Sequence, residues 1–265
     1  MFNTETKAFP MEDASGRIRK KIREYLLGEL PLGVWDKLSV PSTAKDRLHK
    51  ESEGDFAHIF FGHEGRAAHK WLHYLDIYDR YISGFRGSNV KFLEIGVDEG
   101  GSLEVWRKYL GQQATIFGID INPACANRVD APNQCRIGSQ DDPSFLHGVV
   151  EEMGGVDVVL DDGSHMVPHQ VVSFAALFPL LSEGGLYLIE DMHTSYWPGR
   201  FRGGLKRNGT AIELVKEMID DMHRWYHSQR RPSHGSIGAL HIYDSLAVIE
   251  KRALRQPGHI KVPGP

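Results

Sequence analysis

Two stretches of this chain end in the same unusual way. Val156, Val158, Val159 and Leu160 run into Asp161-Asp162-Gly163-Ser164-His165, and Leu186, Tyr187, Leu188 and Ile189 run into Glu190-Asp191-Met192-His193. Apolar runs of this length read as strands covered on both faces, the habit of a parallel sheet. Ligands of open α/β sheets sit in the crevice outside the carboxyl ends of the strands. If the two strands are neighbours, Asp161, Asp162, His165, Glu190, Asp191 and His193 crowd into one such crevice. Carboxylates that close repel unless a cation, a proton or a donor separates them. A divalent metal ion is the expected occupant.

The remaining pattern alternates strand and helix. Residues 92–97 form a strand running into Asp98-Glu99-Gly100-Gly101-Ser102. Ser102 is placed to N-cap a helix carrying Leu103, Trp106, Tyr109 and Leu110, which Gly111 ends. A second strand spans 115–120 and stops at Asp120; a weak third spans 134–137, and a helix covers 143–153. Pro168 sits in the first turn of a helix that Gly184-Gly185 closes. Thr210 and Glu213 make a capping box for another helix. Residues 237–243 and 246–251 are joined through Asp244-Ser245 alone, and a gap that short demands an antiparallel hairpin.

Ahead of this alternation, residues 12–30 place Ile18, Ile22, Tyr25 and Leu26 at helical spacing among basic residues. A short apolar segment follows at 55–62, then a helix at 66–83 with Trp71, Leu72, Leu75, Tyr78 and Ile82 on one side. His69 and His73 stand one turn apart there, which is zinc-ligand spacing, but no carboxylate partner accompanies them and they read as ordinary histidines. The fold class is α/β: a Rossmann-like, seven-stranded, mostly parallel sheet with a C-terminal antiparallel hairpin, plus an N-terminal helical appendage.

Composition narrows the partners. With 265 residues and 41% hydrophobic content, the chain builds one large domain or one domain with an appendage. A net charge of -4 argues against nucleic acid as partner, and no apolar run approaches the ~18 residues of a membrane span. Cys125 and Cys135 are the only cysteines and form no CxxC pair, so a reducing cytoplasmic setting is expected rather than a disulfide framework.

The first strand–helix turn reads Glu94-x-Gly96-x-x-x-Gly100-Gly101. Glycines opening a helix favour an anionic or nucleotide ligand, yet the dinucleotide fingerprint needs GxGxxG and is not supplied. Glu94 suits a ligand with an ammonium group, and Asp120 stands where an acid accepts from ribose hydroxyls. Adenosine with a cationic amino-acid tail, S-adenosylmethionine, satisfies both.

The runs around Glu94, Gly96, Gly100 and Ser102, then Gly118-Ile119-Asp120 and Gly138-Ser139-Gln140-Asp141, resemble the successive cofactor motifs of class I S-adenosylmethionine-dependent methyltransferases. Asp161-Asp162-Gly163-Ser164-His165, Ile189-Glu190-Asp191 and Thr194-Ser195-Tyr196-Trp197-Pro198-Gly199 are similar to the metal-dependent sugar O-methyltransferases of macrolide biosynthesis, the mycinamicin type. The resemblance covers roughly residues 55–252. The resemblance, which leaves residues 1–50 unmatched, sits within an expected division into three regions: an N-terminal helical region (1–85), an S-adenosylmethionine-binding domain (86–252) and a C-terminal tail (253–265).

It also implies site roles. Asp162, Glu190 and Asp191 would hold Mg²⁺, and His165 would be the base. The cofactor would be bound by Glu94, Gly96, Gly100, Ser102, Asp120, Gln140 and Asp141. Asp161 joins that group in a supporting role, because it points to the face opposite Asp162. His193, Tyr196 and Trp197 are candidates for the substrate side. The expected activity is O-methylation of a small hydroxylated substrate, a sugar or glycosylated natural product, by a homo-oligomer. A catechol-like acceptor, or a non-catalytic S-adenosylmethionine-binding module whose acids only cap loops, are the alternatives.

Overall fold

Apolar residues on both sides of each strand require cover on both faces, and the sheet receives it. The computed structural model describes residues 40–228 and 236–263. Its strands are β1 (Lys91–Ile95), β2 (Thr115–Asp120), β3 (Gln134–Ile137), β4 (Val156–Asp161), β5 (Leu181–Ile189), β6 (Ile237–Tyr243) and β7 (Leu246–Lys251). They form one sheet in the order β3-β2-β1-β4-β5-β7-β6. The first five strands are parallel, while β7 runs antiparallel to both β5 and β6. This is the expected mostly parallel sheet with its terminal hairpin. The strand order reverses beside β1, which places a ligand crevice between the ends of β1 and β4.

Helices α1 (Lys45–Glu51), α2 (Asp55–Phe61) and α3 (Leu72–Ile82) precede the sheet. Then come α4 (Gly101–Leu110), α5 (Pro143–Met153), α6 (Val167–Leu177) and α7 (Ala211–Met222). On one face, Phe56, Tyr78, Trp106 and Tyr109 bury against Phe92, Val158 and Leu188. On the other, Leu146, Phe174 and Met218 bury against Leu93, Val159 and Ile189. Trp106 is the hub of the first core, its ring 4.5 Å from Phe56, 4.6 Å from Phe92 and 5.3 Å from Tyr78.

Local expectations are adjusted in three places. The apolar segment at 55–62 is helical, because Phe56 and Phe61 bury one side of α2 while Asp55 and His58 stay exposed. The helix expected from residue 66 begins only at Leu72, so His69 and His73 do not share a helix face. The helix after Pro168 stops at Leu177, and Gly184 and Gly185 lie within β5. The basic helix expected at 12–30 lies outside the described residues.

Candidate active site

The ends of β1, β2, β4 and β5 open onto a crevice of about 580 Å³, a size suited to a small-molecule ligand. β1 brings Glu94 to its floor, fully buried. Ser102 Oγ donates to Glu94 Oε1 at 2.6 Å and Lys70 Nζ donates to the same oxygen at 3.4 Å. Glu94 Oε2 is buried with no partner among the described residues. Burial pushes this carboxyl above its ordinary range, with Lys70 and Ser102 opposing. A buried acceptor left open in a crevice calls for a donor from a ligand.

Ser102 is not the N-cap. Gly100 caps α4 in a left-handed conformation, leaving the Ser102 hydroxyl in the first turn, free to reach Glu94. Gly100 itself does not line the crevice. Gly96 does, at φ +95°, and a Cβ there would stand 2.2 Å from the carbonyl oxygen of Asp162. At Gly101 a Cβ would lie 2.1 Å and 2.3 Å from the carbonyl oxygens of Arg66 and Ala67. The glycine turn therefore serves close approach of the chain to itself as well as an open floor.

Asp120 ends β2 with its carboxylate already engaged. Oδ2 accepts from the backbone of Val97 (2.9 Å) and Asp98 (3.2 Å), and Oδ1 from that of Asn122 (2.8 Å). Partial burial works against the charge, but these backbone donors outweigh it and hold the carboxyl below its ordinary value. A depressed folded pKa gives stability that is present above the unfolded value and is lost as pH falls through the folded one. The difference in melting temperature between wild type and Asp120→Asn is therefore expected to hold steady from neutrality to about pH 5 and to close below about pH 4. A difference independent of pH across that range would contradict the assignment.

Strand alternation then builds the acid cluster. Glu94 pairs with Leu160, which pairs with Leu188. Asp162 and Glu190, two residues further along their chains, extend toward the same face, the one covered by α3. Lys70, on the extended segment before α3, reaches between them. Its Nζ lies 3.1 Å and 3.2 Å from the two oxygens of Glu190, and it also donates to Asp162 Oδ2. Burial disfavours this ammonium, yet Asp162, Glu190 and Glu94 together hold its pKa well above the ordinary value. Tyr78 donates to Glu190 Oε1 from the other side. Glu190 is itself pushed well up by burial and by Asp162, with Lys70 opposing.

His165 and Asp191 stand above this pair, both with φ of +52°. Non-glycine residues in that region cost ~1–3 kcal/mol each and gather where function demands a fixed geometry. Asp191 Oδ1 accepts from Trp71 Nε1 and Tyr74 OH, both at 3.0 Å. His165 Nε2 is 3.5 Å from Asp191 Oδ2 and 4.0 Å from Asp162 Oδ1. One ligand atom each from Asp162, His165 and Asp191 lies within 4.8 Å of the others, a grouping that fits one divalent cation. Glu190, whose oxygens accept from Lys70 and Tyr78, is not part of this grouping.

The other candidates divide. Gln140 lines the crevice; its Nε2 donates to Asp161 Oδ1 at 3.1 Å and its Oε1 accepts from the backbone of Ser164 at 2.7 Å. Asp161 faces the second core, where Ser173 and Tyr187 donate to it, and it does not line the crevice. Its service is to fix Gln140, and through it the loop carrying His165. Asp141 also lies off the crevice, turned toward Ser139 and His169. His193 sits between Trp71 and Trp197, ring centroids 5.8 Å and 4.6 Å away, and contacts the Ser245 hydroxyl. Burial lowers its pKa against the opposing charge of Asp191. Tyr196 is exposed. Lys70 is the residue that sequence reasoning missed; the excess of acids called for a cation without naming one.

No family model matches the chain. The solved structure of MycE methyltransferase from the mycinamycin biosynthetic pathway, in complex with Mg and SAH, superposes with a TM-score of 0.65 at 36% identity, covering 70% of this chain and 51% of that one. The chain shares this methyltransferase fold. In sequence, the chain resembles the sugar O-methyltransferases of natural-product biosynthesis. It is 40% identical over 190 residues to mycinamicin VI 2''-O-methyltransferase of Micromonospora griseorubida, covering 66% of this chain and 47% of that protein. It is 35% identical over 240 residues to L-olivosyl-oleandolide 3-O-methyltransferase of Streptomyces antibioticus, covering 81% and 56%. The chain thus spans about half the length of the curated relatives it matches.

Proposed function

We propose that this chain transfers the methyl group of S-adenosylmethionine to a hydroxyl of a sugar or glycosylated natural product, assisted by Mg²⁺. One observation carries the reading: Asp162, His165 and Asp191 converge on the same crevice into which Glu94 presents an unpartnered carboxylate oxygen. Glu94 would accept from the cofactor's ammonium and Asp120 from its ribose. MycE is solved with Mg and SAH, and in a further structure with mycinamycin VI, which supports the same ligand classes here.

Asp162 and Asp191 would hold the ion, since Mg²⁺ takes hard oxygen donors and leaves the imidazole free. When bound, the ion would supply Lewis-acid chemistry that lowers the pKa of a hydroxyl. His165 would accept the hydroxyl proton at Nε2 as the methyl group passes from sulfur to oxygen. Trp71, His193 and Trp197 offer aromatic faces for the apolar side of a sugar ring.

Incubation with S-adenosylmethionine and a panel of neutral glycosides tests the reading. A product gaining one methyl group, formed with Mg²⁺ and lost with a chelator, is expected. S-adenosylhomocysteine binding without any methylated glycoside would favour a catechol-type acceptor or a binding module. The proposal extends to a reducing cytoplasm, which the lone thiols of Cys125 and Cys135 favour. It extends also to a homo-oligomer. Sedimentation should show a species above the 29.8 kDa of one chain, and a single species at that mass would remove the oligomer.

A further inference from the structure

Lys70 stands where a metal ligand set would be expected to close. Its ammonium offers three N–H donors, and three carboxylates meet it, those of Glu94, Asp162 and Glu190. A hard divalent cation takes the same oxygens. The Asp162 carboxylate is divided between two positions, Oδ2 toward Lys70 and Oδ1 toward His165. Glu190 gives both oxygens to the ammonium and one of them to Tyr78 as well. Asp162 therefore borders two adjacent cation positions, and Lys70 fills one of them.

Lys70 also has somewhere to go. It lines the crevice on one side and, on the other, a second cavity of about 770 Å³ bordered by Leu48, Phe60, Phe61 and Leu72. Residues 67–71 line both cavities, and Trp71 among them donates to Asp191.

We propose that Lys70 is a built-in competitor of the metal ion: its ammonium holds Glu190 and half of Asp162, and a divalent ion binds fully only by displacing it. Lys70 thereby sets both the affinity of the site and whether Glu190 joins the ligand set. This rests on the metal-assisted reading above. With the ammonium in place the available carboxylate oxygens come from Asp162 and Asp191; with it withdrawn, those of Glu190 are released beside them.

Titration with Mn²⁺ alone, followed by calorimetry, tests this without any need for turnover. Lys70→Met and Lys70→Gln are expected to bind Mn²⁺ about tenfold tighter than wild type, since a neighbouring positive charge is removed. Glu190→Ala is expected to weaken Mn²⁺ binding more in the Lys70→Met background than in wild type. Should Lys70→Met fold poorly without metal, melting curves decide: Mn²⁺ should raise the melting temperature of the Lys70→Gln protein more than that of wild type. Equal or weaker affinity in the Lys70 variants would overturn the proposal and leave the metal site standing. No Mn²⁺ binding in any variant would overturn both.

Discussion

Replacing His165 by alanine is expected to slow methyl transfer about 10²- to 10⁴-fold, the range in which a positioned general base contributes. His165 is held in a left-handed conformation with Nε2 facing both Asp162 and Asp191. The loop that carries it is anchored by the backbone of Ser164 donating to Gln140, not by the imidazole. Removing the ring should therefore leave the fold and the binding of S-adenosylhomocysteine intact while removing the proton acceptor. Release of S-adenosylhomocysteine during turnover measures the rate, and calorimetry measures the binding. An unchanged rate would deny His165 the role of base. A matched loss of cofactor binding would make it a structural residue of the loop.

Gly96→Ala is expected to be the most damaging change at the cofactor end. The added Cβ would meet the Asp162 carbonyl oxygen at 2.2 Å, and φ of +95° is a conformation that only glycine adopts without strain. Strain of ~1–3 kcal/mol and overpacking of ~1–3 kcal/mol give a combined loss of roughly 2–6 kcal/mol. The strand end cannot yield alone, because the Gly96 backbone donates to Ile119 at 2.8 Å. Movement would pass instead to Asp162, and so to the metal position. Urea unfolding should show the destabilisation, and S-adenosylhomocysteine binding should be lost with it. A Gly96→Ala protein of wild-type stability would mean that the β4 loop yields freely, which contradicts a rigid crevice.

The sheet was legible because its strands announce themselves twice, by apolar runs and by what ends them. The same alternation separated Asp161 from Asp162: Asp161 accepts from Tyr187 in the second core, while Asp162 lines the crevice. Ser102 was misread for a physical reason: a serine before a helical run suits an N-cap, but the left-handed glycine at 100 had already taken that position. Asp141 and Gln140 are adjacent, yet only Gln140 turns inward, a choice made by the Asp161 carboxylate across the sheet. Lys70 left no pattern to find. It lies 24 residues before Glu94, in a stretch that reads as the start of a helix but is extended, where the backbone of Arg66 and Ala67 packs closely on Gly101. The helix start at Leu72 was hidden for the same reason, since the residues before it follow the glycine turn and not a helical repeat.

Calorimetric titration of S-adenosylhomocysteine into wild type and Asp162→Ala, with and without Mg²⁺, is the most direct measurement of the site as a whole. Wild type should bind S-adenosylhomocysteine and show a separate Mg²⁺ heat. Asp162→Ala should keep the first and lose the second. Absence of S-adenosylhomocysteine binding to the wild-type chain, or a Mg²⁺ heat that survives in Asp162→Ala, would contradict the joint cofactor and metal crevice.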